Sequence, residues 1–471
     1  MIRRLAPLLD AHPGLTGIRP LLGGEDAFAA RLALVEAAER RIDAQYYIFR
    51  DDLTGRVLLD ALSRAASRGV EVRLLLDDHN TPGLDRLLAD LDAHPAIEVR
   101  LFNPFSRRIA RIFGLLTDFT RLNRRMHNKS LTADGIATVV GGRNVGDEYF
   151  SATRELGFID LDVLAVGPAA VEVATAFEIY WSSAASVPAQ RLLKSLRKAA
   201  RQASFFAELE AARRREAGGY LEALQRNPLA RCLAPESLND DRFEWADAKL
   251  VVDPPAKVWG RAARREYVLD KLRIAFDGEV HRDLVVVSPY FVPGRAGTKV
   301  LTELVARGVR VRVLTNALES TDVLAVHAGY MRHRRALLEG GVHIFELRRA
   351  ALGALPPRSV RHAGSHASLH AKVFAVDGER LCIGSFNFDW RSAFFNTELG
   401  LVLRSPLAAT LAAAFDDVVP RAAYAVTLDD AGRLQWQVQG HERRHFTEPG
   451  ASWGRRVLAR LIGLFPFEAM L

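Results

Sequence analysis

The chain has 471 residues, a formal net charge of +8, 49% hydrophobic and 25% charged residues, and two cysteines, Cys232 and Cys382. This balance is globular and excludes collagen-like, coiled-coil and wholly disordered chains; two cysteines exclude a disulfide scaffold and a four-cysteine zinc site, and a reducing compartment is the simplest setting. The length suits two domains or one large pseudo-symmetric unit, and the basic surplus implies an anionic partner: nucleic acid, anionic lipid or a phosphorylated small molecule.

Taken in chain order, the N-terminus opens Met1-Ile2-Arg3-Arg4, but Asp10, His12, Pro13 and Arg19 break any signal-peptide core. No apolar run reaches the roughly 18 residues of a spanning helix. Ile42 to Phe49 reads as a strand, Leu58 to Ala66 as a helix, and Arg68 to Leu75 as a glycine stop followed by a second strand. The same order returns later: strand Leu284 to Tyr290, helix Val300 to Ala306, then Arg307-Gly308 and strand Val309 to Leu314. Strand, helix, glycine stop and strand is a βαβ pattern, and a repeat this long signals two copies of a whole domain. Between the copies, Ala189 to Gly219 reads as helical, and Pro228 to Pro255, with four prolines at its ends and within it, as an irregular connection. The boundary is placed there, giving units 1–227 and 228–471.

Each copy carries the same polar motif. The first has His127-Asn128-Lys129, Asp134-Gly135, Gly141-Gly142-Arg143-Asn144 and Arg154-Glu155-Leu156-Gly157; the second has His370-Ala371-Lys372, Asp377-Gly378, Gly384-Ser385-Phe386-Asn387 and Thr397-Glu398-Leu399-Gly400. His, Lys, Asp, Asn and Glu each recur 243 positions on (370 minus 127 for the histidines). Residues two apart on a strand share a face, so each histidine projects with its lysine, and Asp-Gly makes a hairpin turn to a returning strand. Two such pairs meeting about a pseudo-twofold axis suit a phosphodiester. One neutral imidazole can attack phosphorus while the other, protonated, donates to the leaving oxygen; lysines and asparagines stabilise charge on the remaining oxygens.

These residues resemble the phospholipase D superfamily, whose mark is two H-x-K-x4-D motifs each followed by G-[GS]-x-N. The resemblance runs from about Leu22 to the C-terminus. It implies an α/β fold of two pseudo-symmetric domains, each a mixed sheet flanked by helices, with the active site at their interface. It also implies a covalent phosphohistidine intermediate with no metal or other cofactor. Catalytic roles then fall to His127, Lys129, Asp134, His370, Lys372 and Asp377, with His127 as nucleophile and His370 as acid/base, the reverse assignment remaining open. Asn144, Asn387, Gly142 and Ser385 support substrate, any hydroxyl contact coming from the Ser385 side alone. Glu155 and Glu398 hold the imidazole nitrogen not used in chemistry. Both aspartates have an alternative, since Asp-Gly is itself a favoured turn.

Asp43 to Gly55, Asn123 to Lys129, Gly141 to Phe150 and the tail segments around Trp436, Glu448-Pro449 and Leu464 to Glu468 look like bacterial cardiolipin synthases of the shorter type without transmembrane helices. The resemblance implies transfer of a phosphatidyl group from one phospholipid to the hydroxyl of phosphatidylglycerol, phospholipid substrates rather than nucleic acid, and peripheral attachment to the cytoplasmic face of the bacterial inner membrane. Two basic, apolar segments fit an anionic membrane surface: Phe105 to Leu116, and Trp453 to Leu471. The competing explanation for both is a helix buried on the core with a solvated basic edge. A hydrolase of the same superfamily, including a nuclease, is the alternative activity. A non-catalytic binder of anionic membranes is the remote one, and two complete motifs argue against it. Asp77-Asp78-His79 reads as a strand-end loop rather than a metal site.

Overall fold

A computed structural model describes residues 1–105, 118–153, 156–193, 218–231, 233, 242–276, 280–351 and 366–465. The first half is built on three parallel strands, β2 (Arg41–Tyr46), β3 (Glu71–Asp77) and β4 (Ile97–Phe102). Helix Leu53–Ser67 makes the crossover from β2 to β3, starting where the Asp52 carboxylate accepts the Gly55 N–H and ending just before Gly69 in the left-handed region. From β2 the sheet continues antiparallel through β5 (Ser130–Ala133), β6 (Ala137–Gly141), β8 (Asp162–Val166) and β1 (Thr16–Leu21), and β9 (Ser186–Pro188) closes the far edge on β4.

The second half repeats this order. Parallel β11 (Asp283–Val287), β12 (Arg310–Asn316) and β13 (His343–Leu347) form the centre, with helix Gly294–Ala306 as crossover. Antiparallel β15 (Val373–Val376), β16 (Arg380–Gly384) and β17 (Leu399–Arg404) follow on one side, and β18 (Ala423–Leu428) on the other.

The stretch read as an irregular connection needs correcting. It contains β10, Glu244–Val252, which pairs antiparallel with β17 as β1 pairs with β8. It is therefore the second copy's counterpart of β1. Its prolines lie beyond the strand, where no ladder N–H is needed. β10 also pairs with β1, from Thr16↔Ala246 to Ile18↔Glu244, so one sheet runs through both halves. Buried Val140, Val163 and Val173 from the first half cluster with Ile383, Leu399 and Leu401 from the second, so the halves share a core. The predicted helix between the copies is described only at its ends; residues 194–217 lie outside the described residues.

Candidate active site

Both histidines stand where the chain passes from one piece of sheet to another. His370-Ala371-Lys372 links β14 (His366–Leu369) to β15, and His127-Asn128-Lys129 lies between the Met126 bridge and β5. β14 pairs in parallel with β7 (Leu156–Ile159) of the first half, and Met126 bridges in parallel to Thr397 of the second. Each histidine's backbone therefore borders the other half: His127 N–H donates to Thr397 O and His370 N–H to Ile159 O, both at 2.8 Å.

The residue following each acceptor is a carboxylate that holds the facing imidazole. His127 Nδ1–H donates to Glu398 Oε2 at 2.9 Å, and His370 Nδ1–H to Asp160 Oδ2 at 2.6 Å. With Nδ1 occupied, Nε2 is the nitrogen left for chemistry on each ring. Lys129 Nζ bonds the His127 carbonyl at 2.6 Å and Lys372 Nζ the His370 carbonyl at 2.5 Å, so each ammonium sits beside its own histidine. Tyr47 packs edge-on against His127 and Tyr149 against His370, with centroids 5.0 and 5.1 Å apart.

Asp160 was not legible at the fixed offset of 243, which points to Glu155. Glu155 lies outside the described residues. The ladder shows why the offset fails: Gly141 pairs with Asp162 and Gly384 with Gly400, so here the copies are 238 apart (400 minus 162) and Asp160 is the counterpart of Glu398. Five additional residues in the first copy shift the register, and the 155/398 match is a coincidence of spacing. A search for a carboxylate one or two residues before the strand that pairs with the returning arm of each hairpin, β8 on β6 and β17 on β16, would have found it.

Asp134 and Asp377 need the same correction. Each is the first residue of its hairpin turn, at φ +51° and +56°, separated from its histidine by the full length of β5 or β15. Asp134 accepts backbone N–H groups of Glu39, Arg40 and Arg41, and Asp377 those of His281, Arg282 and Asp283. They tie the turn to the start of the neighbouring strand and have no part at the imidazoles. Asn144 is likewise occupied: its Oδ1 accepts Ile48 N–H at 3.1 Å and its Nδ2 donates to Tyr149 Oη at 3.0 Å. Asn387 differs, since its buried Oδ1 has no hydrogen-bond partner among the described residues. The Ser385 hydroxyl is spent on Glu398 Oε2 at 2.5 Å, and Gly142 leaves the space that the Asp160 carboxylate fills.

The electrostatics are those of a site short of an anion. Burial lowers His127 well below the usual histidine value, with the charges of Lys129, Lys372 and His370 adding to it. Burial also pushes Lys129 well down and Lys372 to about 8, against the pull of Glu398 and Asp160. His370 is lowered less emphatically, by burial and Lys372, because Asp160 opposes the shift. Glu398 is raised by burial to about 7, whereas Asp160 stays below the ordinary range: burial alone would raise it, but His370, Lys372 and Arg143 overcome that. A phosphodiester placed among these groups would favour the charged lysines and a protonated histidine.

One other buried cluster, His327, Glu346 and Glu448, has metal-ligand spacing among the described residues. Arg334 occupies it, bonding Glu346 Oε1 at 2.8 Å and Glu448 Oε1 at 2.7 Å, while Tyr330 and Trp436 fill the rest of Glu346. The Arg334 guanidinium thus supplies the positive charge between the two acids that a metal ion would otherwise bring.

The family model for "Cardiolipin synthase, PLD-like domain" matches residues 32–181 and 279–419, one segment in each half. Cardiolipin synthase C of Escherichia coli K12 is 45% identical over 475 residues, covering 99% of this chain and 98% of that protein. Cardiolipin synthase A of Pseudomonas syringae pv. syringae is 26% identical over 403 residues, covering 85% and 68%. Among solved structures, the phosphatidylserine synthase of Haemophilus influenzae Rd KW20 has the same fold, with a TM-score of 0.59 at 15% identity over 90% of this chain and 91% of that one. Two facing histidine-lysine pairs, each imidazole held by a carboxylate from the opposite half, lie within a chain that belongs to the cardiolipin synthase family of phospholipase D-like proteins.

Proposed function

We propose that this protein is a phosphatidyltransferase that makes cardiolipin by moving a phosphatidyl group onto a hydroxyl of phosphatidylglycerol. The observation that carries this reading is the paired site itself: two imidazoles with Nδ1 engaged and Nε2 left for chemistry, flanked by two lysines whose charge is disfavoured by burial despite the nearby carboxylates. His127 Nε2 attacks phosphorus, the bond to the departing alcohol oxygen breaks, and His370 gives that oxygen a proton. The acceptor hydroxyl then gives its proton to His370 while its oxygen displaces His127 from phosphorus. The lower affinity of His127 for a proton suits it to the first role, and the Asp160 partner suits His370 to carrying one. The lysines meet the phosphate oxygens, and Asn387 Oδ1, without a hydrogen-bond partner among the described residues, offers an acceptor to another hydroxyl of the headgroup.

Peripheral attachment at the cytoplasmic face of the membrane is part of the same proposal. No helix among the described residues is long and apolar enough to cross a bilayer. Residues 106–117, most of the first basic apolar segment, lie outside the described residues. In the tail, helix Trp453–Gly463 packs on helix Leu324–Glu339 and buries Ala459, while Trp453 and Leu464 are 78% and 77% exposed, with Leu458, Leu461 and Phe465 about half exposed. Arg455 and Arg456 turn inward to the carbonyls of Leu318, Thr321 and Glu448. The outward face thus carries the large apolar residues together with exposed Arg460, while Arg455 and Arg456 are pinned inward. An apolar face with a basic residue beside it favours a bilayer over a solvated edge.

The test is to incubate purified protein with phosphatidylglycerol vesicles, with and without phosphatidylethanolamine, and to follow lipids by mass spectrometry. Cardiolipin is expected, and comparison of the two mixtures reads the donor. Phosphatidic acid alone would make the enzyme a hydrolase, in which water resolves the intermediate. Activity should survive a chelator.

A further inference from the structure

We propose that Asp77 and Asn316 are positioning residues for the two histidines, each gripping the backbone of the residue just before its histidine where the β-ladder stops. The proposal rests on the catalytic reading above. Asp77 is the last residue of β3 and Asn316 the last of β12, the equivalent central parallel strands. Asp77 Oδ2 accepts the Met126 N–H at 2.8 Å. Asn316 Oδ1 accepts the Leu369 N–H at 2.8 Å, and its Nδ2 donates to the Leu369 carbonyl at 3.0 Å. Both side chains are buried.

Met126 and Leu369 hold the same place, one residue ahead of His127 and His370. The segments that follow, up to Lys129 and Lys372, lie outside the named strands, because β5 begins at Ser130 and β15 at Val373. Regular ladder bonds do not hold them there, and buried backbone groups must find side-chain partners. Each histidine is therefore tied from two sides. Its own half grips the preceding residue, and the opposite half accepts its N–H. An Asx turn explains the 2.9 Å bond from His79 N–H to Asp77 Oδ1, but not a bond to Met126, 49 residues downstream.

The two grips differ in charge. Asp77 Oδ1 also pairs with Arg125 at 2.7–2.8 Å, and Arg125 in turn bonds the Asn103 carbonyl at 3.1 Å, so this carboxylate is compensated. Its charge also helps keep Lys129 protonated. Asn316 is neutral, and its backbone carbonyl accepts from His327 Nδ1 at 3.2 Å. A neutral grip leaves Asp160 as the acid that bonds His370.

The experiment compares Asp77→Ala, Asp77→Asn, Asn316→Ala and Asn316→Asp with wild type on phosphatidylglycerol vesicles and on soluble bis(p-nitrophenyl) phosphate, with thermal unfolding of each. Both alanine variants should lose roughly 100-fold in kcat with KM nearly unchanged, the effect of a small misplacement of a reacting group. Asp77→Asn and Asn316→Asp each keep an oxygen for the N–H and should recover part of that loss. Asn316→Asp should also raise the pH at which His370 loses its proton, read by NMR titration of its imidazole, because a new negative charge favours the protonated ring. The proposal is overturned if kcat is unchanged in the alanine variants, if the loss vanishes on normalising to folded protein, or if the polar replacements recover nothing. Wild-type turnover of the soluble diester without cardiolipin would sink the transferase reading instead, and the soluble-diester comparison would still decide the grip.

Discussion

Gly142 and Ser385 occupy equivalent positions, and the difference between them is matched by the acids they face. A side chain at Gly142 would collide with the Asp160 carboxylate, while Ser385 donates to the longer Glu398. Glycine with aspartate and serine with glutamate are thus two ways of placing one carboxylate oxygen at Nδ1 of a histidine. Gly142→Ala should displace Asp160 from His370 and lower kcat roughly 100-fold, with an overpacking cost of about 1–3 kcal/mol in unfolding; steady-state kinetics and denaturant titration check both. The same acids set the pH dependence. Glu398 ionises only above about 7, and Lys372 loses its charge above about 8. Free-enzyme activity, read as kcat/KM, should fall as pH drops through about 7 and again as it rises through about 8. Glu398→Gln should lower activity and remove the acid limb, and a limb left in place would assign it elsewhere.

At the scale of elements, the βαβ units and the Asp-Gly hairpins were legible because hydrophobic period and turn chemistry are local. Asp134 and Asp377 show the limit of that legibility: a motif residue at constant spacing was a fold residue, and only its backbone partners revealed it. β10 was missed because four nearby prolines outweighed a strand pattern with a mixed face. The tail helix was ambiguous in sequence, since period alone does not say which face meets the core. Its outward Trp453 and Leu464 yield a clear expectation. Replacing both with serine should cut partition to anionic vesicles by roughly tenfold per residue, measured by sedimentation, while turnover of a soluble diester stays unchanged. A loss of soluble-diester turnover equal to the loss of partition would return this helix to a purely structural role.

For the whole molecule, the shared core and the β1–β10 pairing hold two half-sites in one frame. The frame carries an electrostatic cost at the centre. Glu398, raised to about 7, contributes stability at low pH that is lost as pH rises through that value; Lys372, lowered to about 8, contributes stability at high pH that is lost as pH falls through it. Between the two, both groups are charged and under-compensated. An oxyanion such as phosphate or tungstate should therefore raise the unfolding temperature at pH 7, by an amount equivalent to about 2.7 kcal/mol at 100 times its Kd. The gain should shrink at pH 9, where Lys372 is neutral, and an equal gain at both values would place the anion elsewhere.

The amino-acid sequence by itself determined the duplication, the histidine-lysine pairs and the phosphodiester chemistry, because those rest on residue types at short, regular spacing. Only the tertiary structure decided which acid serves which imidazole. Glu398 reaches His127 and Asp160 reaches His370 across the interface, over separations of 271 and 210 residues. A five-residue shift between the copies had moved the second acid out of register, and no local pattern records a contact that forms only when two halves close on each other.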